Sequence, residues 1–379
     1  MKTLKKLLPL CLIFCLLVGC APKEPAPAAT PTAEVDGSMI RLTAGMEPGT
    51  VIATVDGTHE ITIDDYLFWL SLYVDTYRNQ GYPIDWSMDE SGAMKEEFKA
   101  MILDVAVMYN FFSRHAAEAG LTLSEADEAQ VQTEIDGLKT SMGEDFDFWL
   151  QSMYQVRGIE GFVENERAMY SSDMLYDHYF GENGINLPTE AEFAAYAERA
   201  EEYGVYNAKH ILMLTVDDAR QQLSEEERQA AYDQIHEIYD ALVAAGPDED
   251  TFNTYMFEHS QDTGLAAYPY GYEFGPGEMV PEFEYGTLGI WPNEMSEVIE
   301  SSYGYHLIYR LPVAADSVRL RDVVLGTLWD EWLNGMQENL TVETSEVWDG
   351  LDVAEIDALR AAEVEAYYAA KTPETSPAA

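Results

Sequence analysis

Every cysteine in this 379-residue chain, Cys11, Cys15 and Cys20, falls within the first twenty positions. Whatever folds beyond them does so without a disulfide, a CxxC redox pair or a thiolate zinc site, and is held by apolar burial and hydrogen bonding. A chain of this length exceeds one ordinary core and calls for two or three compact units with tails. Its 47% hydrophobic and 24% charged residues are enough to build them.

The first twenty residues carry an address. Lys2, Lys5 and Lys6 precede an apolar run from Leu7 to Val18, the charged and apolar regions of a secretory signal. The run falls short of the about 20 apolar residues that a permanent span needs. It ends in Leu17-Val18-Gly19-Cys20, which resembles the lipobox of bacterial lipoproteins. That resemblance implies cleavage before Cys20 and lipidation of its thiol, and two acyl chains suffice for stable anchoring at the outer face of the cell membrane. Residues 1–19 are therefore expected to be a signal peptide and 20–49 an extended Pro/Ala-rich tether. Residues 371–379 form a second Thr/Pro/Ser/Ala tract, expected to be disordered.

The net charge is −48, from 69 acidic and 21 basic residues. Nucleic acid is excluded as a partner, because phosphate neutralisation needs clustered Lys and Arg. Anionic lipid headgroups are repelled too, so membrane association falls to the anchor on Cys20. The charge favours solubility and cationic clients, and a solvated acidic surface with no particular partner also fits it.

Folded sequence starts near Val51, where an alternating stretch turns at Asp56-Gly57. Thr62 and Asp65 then form a capping-box pattern ahead of Tyr66, Trp69, Leu70, Tyr73 and Val74 at helical spacing. Further helices are expected over 94–119, 124–140, 146–154, 158–179 and 189–203. After the central segment, 319–339 places Val323, Val324, Leu328, Trp332 and Met336 on one stripe. We expect this helix to pack back onto the first ones, so that 50–203 and 314–370 make one discontinuous, mainly helical domain around an insert at 204–313. The aromatic stripes read as core; the sharper reading has some Tyr, Trp and Met side chains lining a cradle for unfolded chains.

The insert carries the chemistry. Val205 to Leu214 has the composition of a buried strand, a helix capped by Ser224 and Glu227 follows, then a shorter helix at 251–258, and Gly304 to Leu311 closes as another strand. Five signatures occur in order: Ala208-Lys209-His210-Ile211-Leu212, Ser260-Gln261-Asp262, Gly275 to Phe283, Pro292 to Val298 and Gly304-Tyr305-His306-Leu307-Ile308. In this order they resemble the parvulin family of peptidyl-prolyl cis/trans isomerases, and the flanking order of elements resembles PrsA- and SurA-type foldases.

The resemblance implies an α+β fold with a β-α3-β-α-β2 insert and two facing histidines, His210 and His306, with Asp262 beside the substrate. It implies a proline slot from Met279 and Phe283, which their spacing puts on one helix face. Ser301 and Tyr303 lie near the family's hydroxyl positions. No cofactor or metal is implied, and the partners would be unfolded or newly exported chains with Xaa-Pro bonds; oligomeric state stays open. His59, His115, His178, His236 and His259 form no ligand pattern.

Tyr268 to Phe274 departs from the Gly-Gly-Asp-Leu-Gly strand of many relatives, which puts that wall of the pocket in question. Asp217, Asp218 and Glu225 to Glu227 follow His210 in place of a basic cluster, which disfavours phosphorylated substrates and favours basic residues near the proline. The competing function is a holdase whose isomerase module keeps its fold and has lost its rate. A solute-binding lipoprotein fits less well, lacking an alternating parallel-sheet pattern.

Overall fold

The computed structural model describes residues 46–371 except 48, 83, 90 and 151–157. The signal segment, Cys20, most of the tether and the tail beyond Lys371 lie outside the described residues. The fold is α+β, and among the described residues its strands are β1 (Val51–Val55), β2 (His59–Thr62), β3 (Tyr206–Leu214), β4 (Tyr272–Phe274), β5 (Ile299–Glu300), β6 (Gly304–Leu311) and β7 (Val342–Thr344). The chain divides into two compact units, one from residues 1–184 with 333–379 and one from 185–332.

The first unit is discontinuous because β7 returns to pair with β1, setting Ala53 against Thr344 and Val55 against Val342 in a sheet of order β2-β1-β7. The helix Ile63–Asn79 starts at the expected capping box, where the Thr62 hydroxyl accepts from the Asp65 amide and the Asp65 carboxylate accepts from the Thr62 amide. Tyr66, Trp69, Leu70 and Val74 are all buried, and Trp69 stacks on Tyr109 of the helix Ala93–Glu118 at 4.1 Å. These aromatics are core. The last helix, Val353–Lys371, is fixed by buried charge: Asp357 accepts from Arg78 Nη1 at 3.0 Å, Arg78 Nη2 at 2.6 Å and Trp86 Nε1 at 2.8 Å.

The second unit is built on the antiparallel sheet β4-β3-β6-β5. Strand alternation sorts its side chains. On one face Ile211, Met213, Leu307, Tyr309 and Leu311 meet Ile235, Ile238 and Leu242 of the helix Glu225–Ala245 and Phe252 and Met256 of the helix Glu249–His259. Fully burying each such side chain contributes about 1.5–3 kcal/mol. The opposite face holds Ala208 and Ile308 against Phe283 of the helix Pro281–Leu288, and it is the face on which His210 and His306 stand. Turns at 263–267 occupy the place between His259 and β4 where the resemblance implied a third helix.

This unit is wider than the insert 204–313. Phe193 of the helix Glu190–Ala197, Ala200 and Val205 share a small core with Leu320 and Val324 of the helix Val318–Gln337. Arg321 reinforces it, pairing with Glu190 and lying 4.2 Å from the Phe193 ring centroid. The sequence had placed 189–203 and all of 319–339 with the first unit. A stripe at helical spacing shows that a helix buries a face and not what covers it; here the returning helix belongs to the central unit as far as Trp332, and the chain passes to the other only from Leu333.

Candidate active site

In β3 and β6, His210 stands opposite Ile308 and His306 opposite Leu212, so the histidines are diagonal neighbours on one face. Both are buried. Their Nδ1 atoms lie 3.0 Å apart and their rings are within 14° of parallel. One proton can sit between two imidazole nitrogens at that distance, so one Nδ1 donates and the other accepts.

Asp262 decides which. Its segment is tied to β3, with the Gln261 amide donating to Leu212 O at 2.8 Å and the Leu212 amide to Ser260 Oγ at 3.1 Å. Asp262 Oδ2 then lies 3.0 Å from His210 Nε2 and accepts from the Tyr272 hydroxyl at 2.6 Å, while Oδ1 accepts from the Gly264 amide at 2.9 Å. Burial pushes this carboxyl up, but the hydrogen bonds from His210, Tyr272 and Gly264 outweigh it and hold it down at about 2. An ionised carboxylate can only accept. His210 therefore carries its proton on Nε2, its Nδ1 accepts, and His306 donates from Nδ1.

The chain continues outward. His306 Nε2 is left as an acceptor 2.7 Å from Ser301 Oγ, a better partner for that hydroxyl than Gly304 O at 3.4 Å. Ser301 Oγ in turn accepts from the Tyr303 amide at 3.1 Å. Burial, then the neighbouring His210, lowers His306 to about 3, so it stays neutral at any ordinary pH.

Above the histidines sits an apolar group. Phe283, 4% exposed, presents its ring nearly edge-on to His210 at 5.2 Å and His306 at 5.9 Å between centroids. It packs with Phe274, Ala208 and Ile308, and Met279 joins the cluster half-buried. Met279 is not on the helix with Phe283, however. The helix starts at Pro281, whose fixed φ suits a first turn, and Met279 precedes it in a turn through Gly277 at φ +80°, its amide bonded to Glu284 Oε1 at 3.0 Å.

Of the residues the sequence proposed, His210, Asp262, His306 and Ser301 thus form one hydrogen-bonded chain beside Phe283, with Met279 at the edge of the same cluster. Tyr303 contributes its backbone; its ring lies 5.1 Å from the Arg220 guanidinium. In the acidic loop, Asp217 Oδ1 accepts from the amides of Ala219 and Gln221 and so closes its own turn. Tyr272 was missed. The only signal for it was that its strand departs from the expected pattern.

Residues 210–311 match the family model of the PPIC-type PPIASE domain, Rotamase. The central unit carries a PPIC-type rotamase domain. Every residue of the hydrogen-bonded chain lies in it. Over the longer chain, the foldase protein PrsA of Halalkalibacterium halodurans is 29% identical across 57% of this chain and 58% of its own length. The chaperone SurA of Ralstonia nicotianae is 30% identical across 36% of this chain and 27% of its own. This chain thus spans less than two thirds of either relative. Among solved structures, PrsA from Bacillus anthracis is 16% identical, covering 69% of this chain and 97% of that one at a TM-score of 0.22, too low to place any element. Outside the rotamase domain as within it, no helix of the described residues is long and apolar enough to cross a membrane.

Proposed function

We propose that this chain is an extracytoplasmic foldase, tethered through Cys20, that catalyses cis/trans isomerisation of Xaa-Pro bonds in newly exported polypeptides and holds unfolded chains with its helical unit. The observation that carries the reading is the chain Asp262–His210–His306–Ser301 lying against Phe283. The match to the rotamase domain supports it, as do relatives named foldase and chaperone.

Rotation about the prolyl bond faces a barrier of about 18–20 kcal/mol because amide resonance is lost midway. A catalyst has only to bind the twisted amide better than either planar form, and each ~1.4 kcal/mol of that preference is tenfold in rate. An apolar ring beside a fixed polar network suits this: Phe283 and Met279 grip the pyrrolidine, and the pre-aligned dipoles face a carbonyl or nitrogen whose charge changes as it turns. Saturated with hydrogen bonds and ionised, Asp262 anchors the network and is not a nucleophile. The anchor on Cys20, the Xaa-Pro substrate and the holding role are parts of the proposal.

The test is exchange spectroscopy on Xaa-Pro tetrapeptides with the full chain, which should accelerate exchange and lose the effect in His306→Ala. The altered strand 268–274 favours a second reading, a holdase with a silent isomerase module. Suppressed aggregation of an unfolded client with no acceleration of exchange would establish that one instead.

A further inference from the structure

Tyr272 and His210 bond the same oxygen of Asp262, at 2.6 and 3.0 Å. We infer that Tyr272 is a positioning residue of the isomerase site: it orients and saturates the Asp262 carboxylate, and through it fixes which nitrogen of each imidazole carries the proton. The inference rests on the isomerase reading of this site. It turns the departure at 268–274 from a lost wall into a gained contact.

Three donors from three segments, His210 on β3, Gly264 in the turn and Tyr272 on β4, hold the carboxylate. With Tyr272 absent, Oδ2 would keep one partner and the carboxyl plane could rotate, loosening the group that holds the proton on His210 Nε2. Tyr272 itself is well placed. In the β3–β4 pairing it stands opposite Ala208, two residues before His210, so it shares the histidine's face, and the small Ala208 leaves it room. Its ring meets His210 edge-on at 5.7 Å and packs at 4.9 Å on Tyr268. Burial, and then the Asp262 hydrogen bond and charge, push the phenol's pKa up, so it remains a donor.

Gly264 gives independent support. A Cβ there would lie 2.2 Å from the Tyr272 hydroxyl oxygen and 3.3 Å from Asp262 Oδ1. Its backbone is outside the left-handed region, so what the turn uses is the missing side chain: the space is filled by the phenol.

The chemistry gives a readout that packing alone would not move. The groups facing His210 are Asp262, His306, Tyr272 and Phe283. The phenol holds Oδ2 toward His210 Nε2, so removing its hydroxyl frees the carboxylate to turn away and lets the imidazole proton sit on either nitrogen. The single set of proton positions on the two imidazoles should then be lost.

The experiment compares full-length Tyr272→Phe, Gly264→Ala and the double variant with the parent by peptide exchange, by thermal melting and by imidazole nitrogen spectra. Tyr272→Phe should lower kcat about tenfold with little change in KM, as for loss of one hydrogen bond to a charged group. Its histidine spectra should show mixed tautomers where the parent shows Nε2–H on His210 and Nδ1–H on His306. Gly264→Ala should reproduce this by displacing the phenol, and the double variant should be no worse than either alone. Unchanged tautomers in a folded Tyr272→Phe would overturn the inference, even with some rate lost. A parent without isomerase activity would sink the site's reading instead, and the tautomers would still decide the role of Tyr272.

Discussion

Gly304 and Met213 approach so closely that a Cβ on Gly304 would lie 2.0 Å from the Met213 carbonyl oxygen. Gly304 also has φ +148°, where L side chains are strained. It opens β6 two residues before His306, so the close approach sets the register that brings His306 to His210. Gly304→Ala is expected to lose isomerase activity and most of the folded second unit, seen as a lower melting temperature and weaker exchange protection along β3 and β6.

Ser301→Ala should separate the network from the fold. It leaves His306 Nε2 without its donor, at a cost of about 1–3 kcal/mol for an unsatisfied buried acceptor. The rate should fall about tenfold or more if that strain is felt in the twisted state, while Ser301→Thr keeps the hydroxyl and most of the rate. Equal rates for parent and Ser301→Ala would remove Ser301 from the site.

The two units should respond to pH in opposite senses. In the second, His306 takes a proton at 6.5 when unfolded and only at about 3 when folded, and Asp262 is lowered from 3.8 to about 2. In both cases the unfolded state binds more protons on the acid side, so this stability is complete above pH 6.5, declines as pH falls toward 3, and loses the Asp262 part from about pH 4 to 2. In the first unit, burial and then Glu134 raise Glu166 from 4.5 to about 8, and burial raises Asp104 from 3.8 to about 6. There the folded state binds the extra protons, so stability falls as pH rises from about 4 to 8. Thermal unfolding followed from pH 4 to 9 should show two transitions that diverge, and Glu166→Gln should raise the first unit's transition at pH 8 with little effect at pH 5.

Much of the site was legible because its chemistry depends on few residues in a fixed order. His210, Asp262 and His306 sit in short strings whose order resembles that of the parvulin family, which implied the facing histidines, and alternation along the paired strands β3 and β6 puts the two rings on one face. Capping boxes at Thr62, Ser124 and Ser224 were legible for a similar reason, being local in sequence. Contacts between distant segments were not. Nothing in Tyr272 distinguishes a phenol aimed at Asp262 from its neighbours Tyr268 and Tyr270, which are exposed. Met279 and Phe283 have helical spacing but are split by a proline-started turn, and the stripe from Val323 to Met336 could not say that its first half faces Phe193.

Phe283 serves both core and site, and the two roles can be pulled apart. Phe283→Ala removes a ring packed on Ala208, Phe274 and Ile308 and should cost about 3–5 kcal/mol in denaturant unfolding of the second unit. Phe283→Leu keeps most of the volume and should cost far less, yet raise KM for Xaa-Pro peptides because an aliphatic chain grips the ring less well. A variant as stable as the parent with unchanged KM would place the proline elsewhere.

In the first unit, Asp357 and Glu128 offer a contrast that burial decides. Asp357 has a side chain only 4% exposed and accepts three hydrogen bonds from Arg78 and Trp86, joining the last helix to the segments around Asn79 and Trp86. Removing one partner of a buried pair costs about 3–5 kcal/mol because the other is left buried and unpaired. Arg78 is 38% exposed and can turn to water, so Asp357→Ala should fall near the lower end, about 3 kcal/mol. The Glu128–Arg167 pair is as short, at 2.8 Å, but its side chains are 44% and 47% exposed. Water and salt already screen it, and Glu128→Ala should cost less than about 1 kcal/mol. Urea unfolding of both variants at low and high salt measures the difference, and equal midpoints would mean that the Asp357 network forms without holding the last helix in place.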